Sequence, residues 1–271
     1  MEKSRFVLRN TIKSDLGKIK DLYRVFYKTS DNFEYIYNYK HFNSKKNEYF
    51  STVAEYDNEI IGHHSIIEKN CRLLNKRIKV GLCSAAIVNP NYSGIFLKLL
   101  MYSINNFHGD ILIAFPNDNS EGFYTRLLNF NIVYPNYFRI TKMSLIKNSK
   151  NIKSTNAGIK MGMNFISHRI EHHPINNYIK IKNGECIVYF KIYKEKEIDL
   201  VYSSHFDENY YQIISNLLNE YEAINIIHWD KYFVENLGFK ILPHHNKFVY
   251  KYFRNFGLNI YPCQMIDSDI Y

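Results

Sequence analysis

Cysteine is scarce in this sequence, and its few cysteines lie far apart. The 271 residues include four, Cys71, Cys83, Cys186 and Cys263, with no CxxC pair and no zinc-ligand spacing. This pattern excludes a small scaffold held together by disulfides, and we expect four reduced thiols. Glycine (11) and proline (6) are too few for a collagen-like or low-complexity chain.

Long hydrophobic runs are absent as well. No apolar run approaches the ~18 residues that a membrane-spanning helix needs. The first residues lead directly into a strand-like segment, Phe6–Arg9, without the apolar stretch of a secretory signal. We therefore expect a soluble, cytoplasmic protein with no membrane span.

Positive charge and aromatic side chains are abundant. The net charge is +9 at pH 7, which favours an anionic partner such as a phosphorylated small molecule or nucleic acid. The lysines are spread along the whole chain, which argues mildly against a dedicated nucleic-acid surface. The 24 Tyr and 19 Phe suit sheets and pocket walls.

The first half of the sequence alternates between strand and helix patterns. The pattern predicts a helix opening at Asp15 with Ser14 as its N-cap, strands Phe50–Tyr56 and Glu59–Ile67 around an Asp57-Asn58 turn, a strand Val80–Val88, a helix from about Ser93, a strand Ile111–Phe115, a helix Ser120–Leu128 and a strand Ile132–Tyr134. This order predicts an α/β fold with at least one parallel strand pair.

The second half repeats this order in a weaker form. Residues 147–159 lack apolar periodicity, so we expect domains at 1–146 and 160–271 joined by a linker. Asn183-Gly184 predicts a second hairpin. The stretches Phe96–Val133 and Tyr210–Leu242 share one pattern of elements, including a helix at about Lys231–Leu237, which suggests an internal repeat.

Two segments, Val88–Leu100 and Phe115–Phe130, resemble the GNAT family of acyl-CoA-dependent N-acetyltransferases. In that family a "V-x-P-x-Y-R-G-x-G" loop follows the fourth strand, and its amides at the next helix hold the pyrophosphate of coenzyme A. Here the loop is two residues shorter and has one glycine, Gly94. The sequence motif "F-P-N-x-x-S" is similar to that of larger, two-part members of the family that act in surface-polysaccharide pathways. The resemblance implies a GNAT-type mixed, partly parallel sheet followed by a degenerate second half.

The resemblance also implies acetyl-CoA, or another short acyl-CoA, as co-substrate. The residues that it places at the coenzyme are Ala86, Ile87, Val88, Tyr92, Ser93, Gly94, Ile95, Phe96, Asn117 and Ser120. The acceptor that it implies is a primary amine on a nucleotide-linked amino sugar, whose anionic groups would suit the basic chain.

Acyl transfer to an amine needs a proton acceptor for the amine and a proton donor for the leaving thiolate. Tyr124 is the candidate donor, because a phenol stays protonated at neutral pH. The strand Lys79–Val88 has no carboxylate to act as base, so His63 and His64 are the candidates. Adjacent strand residues face opposite sides, so at most one of them can serve.

Other interpretations remain open. A Fem-type aminoacyl transferase also joins two GNAT-like halves but takes its acyl group from charged tRNA. A non-catalytic nucleic-acid binder on the same scaffold is a third hypothesis. His168-Arg-Ile-Glu-His172 matches the zinc signature H-x-x-E-H, but it has no convincing third ligand, and we expect no metal site.

Overall fold

The computed structural model describes residues 6–27, 31–73, 76–134, 136–142, 158–161, 166, 169–173, 177–204, 207–228, 240–242, 247–254 and 261–262. The five helices labelled here are α1 Leu16–Arg24, α2 Phe33–His41, α3 Phe96–Asn105, α4 Asp118–Gly122 and α5 Glu208–Glu220. None of the helices in these ranges is both long and apolar enough to cross a membrane.

The strands follow the chain in two groups. The first group is β1 Val7–Asn10, β2 Phe42–Asn43, β3 Glu48–Tyr49, β4 Ser51–Tyr56, β5 Glu59–Leu73, β6 Lys76–Val88, β7 Ile111–Ala114 and β8 Asn131–Val133. The second group is β9 Asn136–Ile140, β10 Gly158–Met161, β11 Ile179–Asn183, β12 Cys186–Lys194, β13 Glu197–Ser203, β14 Ala223–His228, β15 Lys240–Leu242, β16 Phe248–Tyr252 and β17 Tyr261–Pro262.

The start of α1 differs from the predicted cap. Ser14 lies inside a short 3-10 turn, Lys13–Asp15, that precedes the helix. The Asp15 carboxylate, not the Ser14 hydroxyl, accepts the backbone N–H of Ile12 at 2.8 Å. Asp15 also pairs with Arg9 at 2.7 Å, so a buried ion pair anchors the beginning of the helix.

The first sheet has the order β1-β4-β5-β6-β7-β16-β8. Strands β4, β5 and β6 pair antiparallel, whereas β6 and β7 pair parallel through the crossover helix α3. The predicted hairpin and the predicted parallel pair are therefore confirmed. At the hairpin turn Asp57 and Asn58 have φ of +49° and +64°, which short polar residues tolerate.

Helices cover both faces of this sheet. The helices α1 and α2 bury Ile19 and Tyr37 against Val53 on one face. The helix α3 buries Leu99 against Ala54 on the other face. Because side chains alternate along a strand, neighbouring residues of β5 enter different environments.

The second sheet, β11-β12-β13-β14-β9-β15, repeats the connectivity of the first. Its first two strand pairs are antiparallel, and β13 and β14 are parallel with α5 as the crossover. The predicted Asn183-Gly184 hairpin is confirmed, with Gly184 at φ +56°. The α5 helix packs on the sheet through an apolar face that includes Ile213 and Leu217.

The two sheets exchange one strand each. β9, from the first half of the sequence, lies between β14 and β15 of the second sheet, and β16, from the second half, lies between β7 and β8 of the first. Sheet membership thus does not follow a division of the chain at 147–159. The segment 143–157 and the predicted helix Lys231–Leu237 lie outside the described residues, and the domain division stays a prediction.

Candidate active site

The parallel strands β6 and β7 separate at one end. Their pairing runs from Val80 opposite Ile111 to Cys83 opposite Ala114. Beyond that point β6 continues to Val88 and stays paired with β5. A register shift and a left-handed Ala85, with φ +53°, mark the place where β6 turns away. One edge of residues 84–88 therefore has no strand partner among the described residues.

A cavity of about 1000 Å³ opens where these strands separate. Its floor is the end of β6 and the segment Ala114–Asn117. One wall comes from α1 and α2, and the other from Phe96, Phe123 and Tyr124. The volume lies within the range of natural ligand pockets.

Seven of the ten predicted coenzyme residues line this cavity: Ala86, Ile87, Val88, Ser93, Phe96, Asn117 and Ser120. The other three, Tyr92, Gly94 and Ile95, are not among its lining residues. The Tyr92 ring packs 5.4 Å from Tyr56, and Ile95 is buried against Leu99. A Cβ added at Gly94 would meet no atom within 4 Å, so the space in front of it is open.

The loop that precedes α3 forms its own hydrogen bonds. Residues Pro90–Ile95 are a 3-10 helix that runs directly into α3. The N–H of Tyr92 donates to the Asn89 carbonyl at 2.8 Å, and the N–H of Phe96 donates to the Ser93 carbonyl. Some amides that the resemblance assigns to a diphosphate are thus already paired within the chain. The Asn117 side chain similarly accepts both the N–H and the hydroxyl of Ser120, at 3.0 and 2.9 Å.

Tyr124 lies deep in the cavity wall. It is in a single π-helical turn, Phe123–Leu127, which follows α4 directly. Its hydroxyl interacts with the Cys83 thiol, beside the point where the strands separate. Burial raises the pKa of Tyr124 well above its ordinary value and raises that of Cys83 to about 12. Both groups are protonated at neutral pH, so Tyr124 can donate a proton to a sulfur.

The two candidate bases are fully buried, and neither is among the lining residues of the cavity. His63 faces α1 and α2, with Nδ1 3.2 Å from the Tyr23 hydroxyl and Nε2 2.8 Å from the Tyr37 hydroxyl. His64 points to the other face, and within the described structure neither of its nitrogens has a hydrogen-bond partner. Burial lowers the pKa of His63 to about 4, and burial together with His63 lowers that of His64 to about 3.

The wall formed by α1 and α2 was missed by sequence reasoning. Tyr23, Phe26 and Tyr37 line the cavity together with Lys40, which forms no ion pair in the described part of the chain. Sequence periodicity places Tyr23 and Phe26 on the apolar face of a helix. It cannot distinguish a helix that packs on the core from one that lines a pocket, because both have the same periodicity. The aromatic density of α2 was the available signal.

The described residues of the zinc signature and of the second half form no comparable site. His168 lies outside the described residues, and Glu171 accepts from Tyr189 at 2.9 Å and Lys180 at 3.1 Å. Within the described ranges no group of His, Cys, Asp or Glu could hold a metal.

The strands β13 and β14 also stop pairing before their ends, after Leu200 and Ile226. The helix that follows β13, α5, begins with Asp207 at its N-cap and Glu208 in its first turn. Carboxylates at this helix start would repel a diphosphate, so the first half holds the better anion site.

The sequence matches no protein-family model and no curated protein. Solved structures are similar to it in fold. A GCN5-related N-acetyltransferase from Kribbella flavida aligns with a TM-score of 0.67 at 9% identity, over 92% of this chain and 72% of its own. One from Anabaena variabilis ATCC 29413 aligns with a TM-score of 0.68 at 9% identity, over 92% and 73%.

A probable N-acyltransferase from Enterococcus faecalis V583 aligns with a TM-score of 0.65 at 10% identity, over 92% of this chain and 73% of its own. At such low identity the likeness shows architecture and not activity. This chain therefore has a GNAT-type fold: a mixed, partly parallel sheet flanked by helices.

Proposed function

We propose that this protein is an N-acyltransferase that moves an acetyl or other short acyl group from acyl-CoA to a primary amine. The observation that carries the proposal is the separation of β6 from β7 at Cys83 and Ala114, which opens the cavity beside Tyr124. We further propose that it acts in the cytoplasm, where thiols such as the buried Cys83 stay reduced.

The donor side of the cavity fits an extended acyl carrier. The unpaired edge of residues 84–88 offers backbone N–H and C=O groups to the amides of a pantetheine arm, as an added strand would. Successive N–H groups of a strand point to opposite edges, so of Ala86, Ile87 and Val88 only those whose N–H faces away from β5 are candidates to stabilise negative charge on the thioester oxygen. Open space in front of Gly94 and Ser93 leaves room for the diphosphate, which receives fewer loop amides than the resemblance implies.

Tyr124 supplies a proton to the departing sulfur. Its hydroxyl interacts with the thiol of Cys83, so the phenol lies beside a sulfur at this place, which supports the role. Burial keeps its pKa high, so the proton is present at neutral pH and leaves only towards a strongly basic thiolate.

The acceptor side is the wall of α1 and α2. We propose a nucleotide-linked amino sugar as acceptor, since a sugar ring can stack on aromatic faces such as those of Tyr23 and Phe26. Lys40 is the cation that would pair with a phosphate of such an acceptor. The net charge of +9 suits an anionic donor and an anionic acceptor together.

Coenzyme binding is the first test. Acetyl-CoA at about 100 times its Kd should stabilise the protein by about 2.7 kcal/mol, which a thermal-shift assay detects as a higher Tm. Thiol release from acetyl-CoA is then followed with a panel of amines: glucosamine, glucosamine phosphate and a nucleoside-diphosphate amino sugar. No Tm shift with CoA would contradict the proposal. Acyl transfer from aminoacyl-tRNA would then support the Fem-type alternative, and salt-sensitive RNA binding without turnover would support a nucleic-acid binder.

Tyr124→Phe tests the proton donor. Turnover should fall about 10²-fold or more, with the coenzyme Kd nearly unchanged, because only the hydroxyl is removed. Tyr189→Phe is the matched control, since Tyr189 is equally buried and hydrogen-bonded but lies in the second sheet. Unchanged turnover of Tyr124→Phe in an active enzyme would remove Tyr124 from this role.

A further inference from the structure

The α1–α2 wall has no carboxylate among its described lining residues, so the amine's proton needs another acceptor. Three polar side chains of this wall lie next to His63, Tyr23, Tyr37 and His41, and of these Tyr37 and His41 are buried. Tyr23 is half-buried and lines the cavity, and its hydroxyl lies 3.2 Å from His63 Nδ1. His63 itself is wholly buried behind it.

We propose that the Tyr23 hydroxyl takes the proton of the acceptor amine while it passes its own proton to His63 Nδ1, so that the two side chains act together as the general base. The proposal rests on the acyl transfer proposed above. Tyr23 is the catalytic residue of the pair, because it faces the cavity, and His63 is a positioning residue that acts through Tyr23.

The surroundings of His63 allow it to hold a proton on either nitrogen. With the proton on Nε2, the ring donates to the Tyr37 oxygen 2.8 Å away, and Nδ1 accepts from Tyr23. With the proton on Nδ1, the ring donates to the Ala85 carbonyl at 3.2 Å. An imidazolium would donate to both oxygens, so every protonation state of His63 has partners.

A chain of hydroxyls adjusts to these states. The Tyr37 oxygen lies 2.8 Å from Ser51 Oγ, and the Ser51 hydroxyl donates to Thr11 at 2.9 Å. The left-handed backbone of Ala85 is at the same β6 bulge that opens the cavity, and its carbonyl is within hydrogen-bonding distance of His63. The bulge therefore serves the cavity and the relay together.

The adjacent His64 shows why burial alone does not make a relay. It is as deeply buried as His63, but its two nitrogens have no hydrogen-bond partner in the described residues. A proton placed on His64 would be a buried charge without compensation. Of the two candidate bases, the structure thus favours His63, through Tyr23.

The step balances in atoms and charge. The amine nitrogen bonds to the thioester carbon, its proton moves to the Tyr23 oxygen, and the Tyr23 proton moves to His63. The carbon–sulfur bond then breaks, and the thiolate takes the Tyr124 proton. His63 returns its proton through Tyr23 and solvent, and Tyr124 regains one, so the products are an amide and a thiol.

Tyr23→Phe is the decisive variant, and Tyr35→Phe is its control. Tyr35 lies on α2, is exposed and is not among the lining residues of the cavity. The Tyr23→Phe enzyme should lose about 10²-fold in kcat with KM values for acetyl-CoA and amine within about threefold, whereas Tyr35→Phe should keep kcat within about twofold. Equal melting temperatures of the variants show that they are folded.

The pH profile separates a proton relay from a structural effect. The groups that face His63 are Tyr23 from α1, Tyr37 and His41 from α2 and the Ala85 carbonyl from β6, and Ser51 from β4 contacts the Tyr37 hydroxyl. None of these groups is a carboxylate. Corrected for the fraction of free amine, kcat of the wild type should be flat between about pH 7 and pH 9, whereas kcat of Tyr23→Phe should rise with pH as solvent base replaces the relay.

Two results would overturn the relay. Wild-type kcat and a flat pH profile in Tyr23→Phe overturn the relay alone, because the enzyme is then active without it. A wild type that transfers no acyl group from acetyl-CoA to any amine of the panel overturns the proposed function, and the relay with it. His63→Gln, which keeps hydrogen-bonding groups but cannot accept a proton, should reproduce the Tyr23→Phe profile.

Discussion

Replacing the buried His64 by leucine should stabilise the protein. Leu fills a similar volume and removes two ring nitrogens that are buried without partners in the described structure. Leaving such groups unpaired costs about 1–3 kcal/mol, so we expect a gain of that size at about pH 7.5.

The gain should increase in acid. Burial and the neighbouring His63 lower the pKa of His64 to about 3 in the folded state, against about 6.5 in an unfolded chain. At pH values between these two pKa values the unfolded state binds more protons than the folded state. Each unit by which the pH decreases therefore lowers the wild-type free energy of unfolding by about 1.4 kcal/mol. At about pH 5, protonation of His64 in the unfolded state lowers the free energy of unfolding of the wild type by about 2 kcal/mol, and His64→Leu does not have this loss.

Urea or thermal unfolding at the two pH values measures both quantities, with about 2–4 °C of Tm for each kcal/mol in a chain of this size. His108→Leu is the control, because His108 is exposed and folding does not bury its ring. A His64→Leu variant that is less stable than wild type, or a gain that is equal at both pH values, would refute the reasoning.

Two further substitutions test the backbone and the ion pair. Ala85→Gly should raise stability by about 1 kcal/mol in urea unfolding, because glycine adopts φ +53° without strain, and a loss of stability would count against the left-handed bulge. Asp15→Asn should cost about 2 kcal/mol, because it removes the charged hydrogen-bond partner of a partly exposed Arg9, which keeps Glu55. Burial raises the pKa of Asp15, but the hydrogen bonds from Arg9 and the Ile12 N–H outweigh it and lower the pKa overall. The stabilisation is therefore present above about pH 4 and lost below it, and a deficit that does not shrink in acid would contradict this account.

Much of the local structure was predictable from the sequence. Short polar turns at Asp57-Asn58 and Asn183-Gly184 predict both hairpins, because only a few residue types tolerate left-handed backbone. The apolar runs of β6 and β7, joined by an amphipathic helix, predict a parallel crossover. The N-cap at Ser14 was wrong because a neighbouring carboxylate, Asp15, pairs with the partly exposed Arg9 of β1. The residue pattern at a helix start does not predict a pairing partner that a strand contributes, here Arg9.

Part of the candidate site was predictable too. Tyr124 and the end of β6 lie together at one cavity, as the resemblance implies. The polar surroundings of His63 could not be predicted, because Tyr23, Tyr37 and Ala85 come from three separate elements.

By itself, the sequence determined the order of helices and strands, the two tight turns and the opposite orientation of His63 and His64, since these depend on residues close together in the chain. Only the tertiary structure decided which strands pair across the halves, with β9 and β16 exchanged, and which histidine has partners. Alternation along a strand says that a side chain faces one side, whereas burial and hydrogen bonding depend on what distant segments bring to that side.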